Sequence, residues 1–179
     1  MGTLYFVRHG QTEYNLQHRV CGSTDINLTK LGIEQARQLG EKIAKDNIHI
    51  DHIIASPLKR AADTAKMIGQ MIGKEVEIDE RITEQNFGKY EGLDRDCKEF
   101  YEARAQFLNR FSDGESFIQV AARVYNLLDE LKENLADQTV LIVAHNGIAR
   151  ILHSYFVEMS NEEISSYGID NCQLVKYTL

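Results

Sequence analysis

Two histidines of this 179-residue sequence follow strand-like apolar runs and precede a glycine. His9 comes after the run 4–7 and Arg8, and His145 comes after the run 139–144. A lone histidine in such a place is more often a satisfied structural residue than a functional one. Two histidines at corresponding positions favour a functional pair, because equivalent ends of parallel strands meet at one edge of a sheet.

Two arginines could supply positive charge beside such a pair. Arg8 directly precedes His9, and Arg60 lies one turn into the helix expected after the apolar run 52–55. A guanidinium group binds phosphate oxygens through paired N–H donors, and a neutral imidazole can accept a phosphoryl group covalently. Together with nearby helix N-termini, these residues predict a site for a phosphoryl group. The alternative for Arg60 is a solvated cation on a helix face.

Transfer of a phosphoryl group from an ester also requires a proton donor for the leaving oxygen. The expected donor is a carboxylic acid whose pKa is raised by burial or by nearby negative charge. Glu84 and Glu91 both lie in the loop-like stretch 84–95. Their spacing alone does not show which of them is the acid.

The apolar pattern predicts the elements that position these residues. Strand-like runs lie at 4–7, 52–55, 75–78, 139–144 and 173–178, and stretches with helical periodicity separate them. This alternation predicts an α/β fold, a three-layer α/β/α sandwich around a mostly parallel sheet with the last strand at an edge. The histidines would then face each other across a crevice at the carboxyl edge of the sheet.

Local signals predict where several helices begin and end. Thr29 is a candidate N-cap, and Ser56 followed by Pro57 is typical of a capping serine with proline at the first helical position. The stretch 96–110 predicts a compact helix with its phenylalanines on the inner side.

Composition limits the possible classes of protein. The chain is 43% hydrophobic and 26% charged, and its length predicts a single domain over residues 1–179. A net charge of −7 argues against nucleic acid as a partner. Three cysteines without metal-ligand spacing indicate a reducing compartment and no structural zinc. Since no signal-peptide or membrane-spanning run is visible, we expect a cytoplasmic protein without a membrane partner.

Ordered blocks of the sequence resemble the signatures of the histidine phosphatase superfamily, in its phosphoglycerate-mutase-like branch. The first block is Arg-His-Gly-Gln-Thr at 8–12 followed by Asn15, and further blocks lie at 22–36, 56–65, 84–92, 114–123 and 143–150. A lone Arg-His-Gly would be weak support, but the blocks together span nearly the whole chain. The resemblance implies a phosphoglycerate-mutase-like fold and an enzyme that uses neither a metal nor a cofactor.

The resemblance also implies a role for each candidate residue. His9 would be the nucleophile that becomes a phosphohistidine, and Glu84 would be the general acid, with Glu91 as a structural carboxylate. Arg8, Arg60 and His145 would clamp the phosphoryl oxygens. Further candidates for substrate or phosphate contact are Gln11, Thr12, Asn15, Cys21, Gly22 and Asn146.

Two of these positions have an open role. The family usually has glycine where this chain has Asn146, whose side chain could narrow the pocket or contact the leaving group. Cys21 falls where the family contacts substrate, and a small semi-buried thiol is an equally good explanation.

The resemblance covers both phosphatases and phosphoglycerate mutases. The segment 93–113, which we interpret as a specificity lid, is shorter than in true mutases, and its cations are interleaved with acids. This favours a phosphatase acting on a small phosphomonoester; the alternatives are a mutase and a non-catalytic phospho-ligand-binding protein. The aromatic residues of the lid could accept a partly apolar leaving group, although packing of the lid onto the core is the favoured explanation. The substrate and the oligomeric state stay open.

Overall fold

A computed structural model describes residues 2–179 of the chain, which contain one five-stranded sheet. The strands are β1 (Thr3–Arg8), β2 (His52–Ala55), β3 (Val76–Ile78), β4 (Thr139–Ala144) and β5 (Leu174–Thr178). Their order is β3-β2-β4-β1-β5. The first four strands of this order pair in parallel with their neighbours, and β5 pairs antiparallel with β1. The prediction of a mostly parallel sheet with the last strand at an edge is confirmed.

Helices cover both faces of this sheet. The α-helices of the described residues are α1 (Glu13–Leu16), α2 (Lys30–Lys45), α3 (Lys59–Ile72), α4 (Lys98–Arg104), α5 (Phe117–Asn134), α6 (Asn146–Phe156) and α7 (Asn161–Ser166), of which α2, α3, α5 and α6 pack on the sheet. One buried cluster joins α2 and α3 to the sheet, and a second joins α5 and α6 to the opposite face. The predicted three-layer α/β/α sandwich is confirmed. Among residues 2–179, no helix combines the length and the apolar character needed to cross a bilayer.

The central strands are readable in the sequence because they are buried on both faces. In β4, Val140 and Ile142 belong to the cluster beneath α5 and α6, whereas Leu141 and Val143 belong to the cluster beneath α2 and α3. Side chains alternate between the faces of a strand, so one continuous apolar run fills both cores.

The two predicted N-caps have different outcomes. Thr29 caps α2 as expected, since its hydroxyl accepts a hydrogen bond of 3.0 Å from the Gly32 N–H. The prediction for Ser56 is wrong, because α3 begins at Lys59 and its N-cap residue is Leu58. The Ser56 hydroxyl instead accepts a hydrogen bond of 3.4 Å from the Leu58 N–H, before the helix, and lies 2.7 Å from a ring nitrogen of the buried His145.

The predicted helix over 96–110 is wrong in length, because α4 ends at Arg104. Phe100 and Phe111 both contact the ring of Phe87, at centroid distances of 5.2 and 5.1 Å. In one continuous helix these two residues would be about 16 Å apart along the axis, so the chain must leave the helix between them. Phe107 lies outside this cluster and stacks on Phe117 at 4.6 Å. Phe100, Phe107 and Phe111 thus pack against other rings, while Phe100 and Tyr101 also line a cavity, so both explanations for the aromatic residues of the lid stay open.

Candidate active site

The central strands bring the two histidines together at the carboxyl edge of the sheet. The strands β1 and β4 are neighbours, and the His9 N–H extends their ladder by donating to the Ala144 carbonyl at 3.0 Å. The centroids of the His9 and His145 rings are 5.3 Å apart, and both side chains are buried. A cavity of about 670 Å³ opens beside them. The expectation that the two histidines face each other is confirmed.

The hydrogen bonding of His9 defines which of its nitrogens is nucleophilic. Its Nδ1 lies 2.7 Å from the Gly10 carbonyl oxygen, which can only accept, so Nδ1 carries a proton. Burial, reinforced by the charges of Arg60 and Arg8, holds the pKa of His9 well below its usual range. The ring is therefore neutral, and its lone pair is on Nε2.

His145 is also neutral in the folded protein. Burial is the main reason that its pKa is far below the usual value, and the Arg60 charge lowers it further. Its Nε2 is 2.7 Å from the Ser56 hydroxyl oxygen. A neutral imidazole can give one hydrogen bond, but it supplies no positive charge of its own.

Backbone carbonyls hold the two arginines in place. Arg60 is fully buried, and its terminal nitrogens donate to the carbonyls of Thr24 and Gly22 at 2.8 and 2.6 Å. Arg8 donates to the Ile169 carbonyl at 2.7 Å. Within residues 2–179, no carboxylate lies within 4.0 Å of either guanidinium group to form an ion pair. Both charges are thus available to an anion.

Unpaired buried donors concentrate on the residues predicted to clamp the phosphoryl group. Of the buried side-chain nitrogens and oxygens in residues 2–179, those without a hydrogen-bond partner are Arg8 Nε, Arg60 Nε and His145 Nδ1. Leaving a buried donor unpaired is unfavourable and uncommon in native proteins. Arg8 lines the cavity, whereas Arg60 and His145 are buried behind its lining residues. The three nitrogens are therefore candidate donors to the oxygens of an anionic ligand.

Glu84 has the properties expected of a general acid. Its side chain lines the cavity and is 4% exposed, and it accepts hydrogen bonds of 2.9 Å from the N–H groups of Gln85 and Gly147. Burial raises its pKa despite these two hydrogen bonds, which act in the opposite direction. A side chain at Gly147 would collide with the Glu84 carboxyl group, so glycine is required for this contact.

Glu91 has a structural environment, in agreement with the role implied by the resemblance. Its carboxylate accepts hydrogen bonds of 3.0 Å from the N–H groups of Gly22, Ser23 and Phe87. Glu91 also does not line the cavity. Since the Gly22 carbonyl accepts a hydrogen bond from Arg60, Glu91 also supports the position of Arg60 through Gly22.

The remaining candidates divide into two groups. Asn15, Cys21 and Asn146 line the cavity, and burial raises the pKa of the Cys21 thiol. Gln11 and Thr12 form local hydrogen bonds instead: the Gln11 amide oxygen accepts from the Thr29 hydroxyl, and Thr12 caps α1. Roles for all these residues in phosphate binding, including Gly22, stay predictions.

Asn146 connects the site to the segment before β5. Its side-chain oxygen accepts a hydrogen bond of 3.0 Å from the Ile169 N–H. Asn171 reaches the same region from that segment, donating to the His9 carbonyl at 2.7 Å. The segment 165–170 forms a wall of the cavity, a contribution that the sequence did not suggest.

Several cavity cations were not predicted as site residues. Those that line the cavity besides Arg8 are Arg19, Arg95, Lys98, Arg104 and Arg150. Burial and then the charge of Arg104 lower the pKa of Arg150 to about 10. The sequence could have indicated Arg150, because it lies one helical turn beyond Asn146 and thus near the same helix N-terminus.

Comparisons with known proteins identify the family. The model of the histidine phosphatase superfamily (branch 1) matches residues 4–179. This chain belongs to the histidine phosphatase superfamily. The family predicted from the sequence blocks is therefore confirmed. No group of three or more His, Cys, Asp or Glu side chains suited to a metal ion is found in residues 2–179 of this histidine phosphatase.

Relatives of this histidine phosphatase include both kinds of enzyme. A 2,3-bisphosphoglycerate-dependent phosphoglycerate mutase of Sinorhizobium fredii is 33% identical, over 94% of this chain and 85% of the mutase. The structure of a phosphoserine phosphatase from Entamoeba histolytica with 3-phosphoglyceric acid is similar at a TM-score of 0.84, with 29% identity over 98% of this chain and 90% of that one. The structure of a mycobacterial glucosyl-3-phosphoglycerate phosphatase is similar at a TM-score of 0.83, with 30% identity over 97% of this chain and 88% of that one. The chain is thus an enzyme, a phosphatase or a mutase.

Proposed function

We propose that this enzyme hydrolyses a small phosphomonoester through a covalent phosphohistidine on His9. The observation that carries the proposal is the set of unpaired buried nitrogens on Arg8, Arg60 and His145 beside a neutral imidazole nucleophile. Donors held in place before the substrate arrives stabilise the charge of a transferring phosphoryl group.

The proposed first step is attack of His9 Nε2 on phosphorus. The bond to the ester oxygen breaks, and protonated Glu84 gives its proton to that oxygen, so the alcohol leaves neutral. In the second step, ionised Glu84 takes a proton from water as the water oxygen attacks phosphorus. The N–P bond breaks, phosphate is released, and Glu84 is protonated again for the next cycle. Asn15 and Cys21 line the same cavity and are proposed to contact the substrate, as is Asn146.

The second candidate function is phosphoglycerate mutase, favoured by the related mutase of Sinorhizobium fredii. The short lid over 93–113, in which α4 has seven residues, supports the phosphatase instead. The two activities are separated by incubating the purified enzyme with 3-phosphoglycerate, with and without 2,3-bisphosphoglycerate as primer. We expect release of phosphate to exceed formation of 2-phosphoglycerate in both reactions. Isomerisation faster than hydrolysis would show that the enzyme is a mutase, and no reaction across a panel of phosphomonoesters would favour a non-catalytic binding protein.

Three of the cationic residues that line the cavity support a more specific substrate class. Arg95 and Arg104 from the lid and Arg150 from α6 line it together. Burial and then the charge of Arg95 lower the pKa of Arg104, and burial and then the charge of Arg104 lower the pKa of Arg150. Repulsion of this kind is relieved by a ligand anion other than the phosphoryl group. We therefore propose that the leaving group carries a carboxylate, as phosphoserine and 3-phosphoglycerate do.

Replacing Arg104 by methionine tests this substrate class. We expect kcat/KM for phosphoserine or 3-phosphoglycerate to fall about 10- to 100-fold, the effect of one lost charge-assisted hydrogen bond. The value for p-nitrophenyl phosphate, which has no carboxylate, should change little. Arg110→Met is the matched control, because Arg110 belongs to the same lid but does not line the cavity. An equal loss for all three substrates would contradict a carboxylate site.

We further propose that residues 1–179 act as one domain in the cytoplasm. The first proposal is supported by the pairing of β1 with β5, which joins the two ends of the chain in one sheet. The second is supported by three free cysteines among the described residues.

A further inference from the structure

We infer that Ser56 is a positioning residue: it donates a hydrogen bond to His145 Nε2 and so fixes the tautomer in which His145 Nδ1 presents its proton to the phosphoryl group. The inference rests on the proposed function for the identity of the ligand. The assignment of the tautomer rests on the hydrogen-bond partners of Ser56 and does not depend on the ligand.

The backbone places Ser56 directly after β2, next to the end of β4. Its N–H donates to the Val143 carbonyl at 3.1 Å, which continues the pairing of β2 with β4 by one residue. Its side chain is fully buried, and the hydroxyl oxygen is 2.7 Å from His145 Nε2. The hydroxyl therefore reaches the histidine from the end of the neighbouring strand.

The available partners determine the direction of this hydrogen bond. Within residues 2–179, the Ser56 hydroxyl has two partners, the Leu58 N–H at 3.4 Å and His145 Nε2. The Leu58 N–H can only donate, so it uses a lone pair of the hydroxyl oxygen. The proton of the hydroxyl then has one acceptor, His145 Nε2. A buried hydroxyl proton without an acceptor would be unfavourable.

A neutral imidazole carries one proton, so a lone pair on Nε2 places the proton on Nδ1. His145 Nδ1 is buried and has no hydrogen-bond partner in residues 2–179, as expected of a donor that serves a ligand. In the opposite tautomer, Nδ1 would present a lone pair to the phosphoryl oxygens. That arrangement would repel the anion for which Arg8 and Arg60 supply charge.

The two histidines thus have the same tautomer and opposite functions. In His9 the Nδ1 proton is donated in a hydrogen bond to the Gly10 carbonyl, which leaves the lone pair of Nε2 free for attack. In His145 the lone pair of Nε2 accepts the hydrogen bond from Ser56, which leaves the Nδ1 proton free to bind the ligand. A carbonyl acceptor and a hydroxyl donor therefore distinguish the nucleophile from the clamp.

Imidazole ¹⁵N spectroscopy tests the tautomer directly. Long-range ¹H–¹⁵N correlation spectra distinguish protonation at Nδ1 from protonation at Nε2, and His145→Gln assigns the resonances among the six histidines. We expect wild-type His145 to be protonated at Nδ1. Protonation at Nε2 in the wild-type enzyme would overturn the inference, whatever the activity of the variants.

Two isosteric variants test the effect on turnover. Ser56→Thr keeps the hydroxyl, and Ser56→Val has nearly the same shape without it, so any packing strain is shared by both. We expect kcat of the valine variant to be about 10- to 100-fold below that of the threonine variant, with a smaller difference in KM. Equal kcat values for two folded variants would overturn the inference. Should the wild-type enzyme release no phosphate, the proposed function would fail, while the spectra would still decide the tautomer.

Discussion

Replacing His9 by alanine is expected to abolish the phosphoenzyme and to lower kcat/KM by at least about 10³-fold, as loss of a covalent nucleophile does. The alanine side chain has no lone pair to attack phosphorus. The arginine clamp stays in place, because Arg8 and Arg60 are held by carbonyls that the substitution does not touch. Binding of inorganic phosphate should therefore persist.

The measurement is incorporation of ³²P from labelled substrate after a rapid quench. The wild-type label should be lost in acid and stable in base, which distinguishes phosphohistidine from a phosphate ester. His49→Ala serves as the control, because His49 is an exposed histidine whose partner is Asp51. Label that persists in the His9→Ala enzyme would assign the nucleophile to another residue.

Replacing Glu84 by glutamine should lower kcat/KM about 10²- to 10⁴-fold for alkyl phosphates, the usual contribution of a general acid. The loss should be much smaller for p-nitrophenyl phosphate, because p-nitrophenolate is a weak base that leaves without a proton. This difference is the signature of an acid acting on the leaving group. A residue that only supports the fold would affect both substrates equally.

The pH dependence provides a second readout for Glu84. Burial raises its pKa, so the protonated form, which is the acid, persists to higher pH than for an exposed glutamate. Activity toward alkyl phosphates should fall as the pH rises through this raised pKa, and the fall should be absent in Glu84→Gln. The neighbouring exposed residue Glu80 offers the control substitution Glu80→Gln. An unchanged alkaline limb in the Glu84 variant would assign the titration to another group.

The unpaired donors of the site destabilise the folded protein, as expected of groups that bind a ligand. Arg8, Arg60 and His145 each bury a nitrogen without a partner, although most buried polar groups in native proteins are paired. Such groups persist at sites where a ligand completes them. This arrangement separates the clamp from the many arginines of the surface, such as Arg37, which pairs with Glu34 and Glu41.

The elements that could be predicted are those stabilised mainly by a single effect, such as burial of both faces of a strand or a local helix cap. The strands β2 and β4 match the predicted ranges 52–55 and 139–144, because burial on both faces leaves an uninterrupted apolar run. Thr29 was predictable because a cap is formed within one turn of the chain. The path of the lid could not be predicted, because it depends on contacts of the Phe87 ring with Phe100 and Phe111, which are more than ten residues away in sequence.

For the candidate site, the residue pattern was enough to predict the chemical groups and the sheet edge at which they meet. Arg8, His9 and His145 follow strands whose positions the apolar pattern reveals, and parallel strands bring such residues together. The pattern did not reveal the burial and the hydrogen-bond partners that control protonation in the site. Burial raises the pKa of Glu84, and the tautomer of His145 follows from Ser56, 89 residues away in sequence, so no local pattern records these contacts.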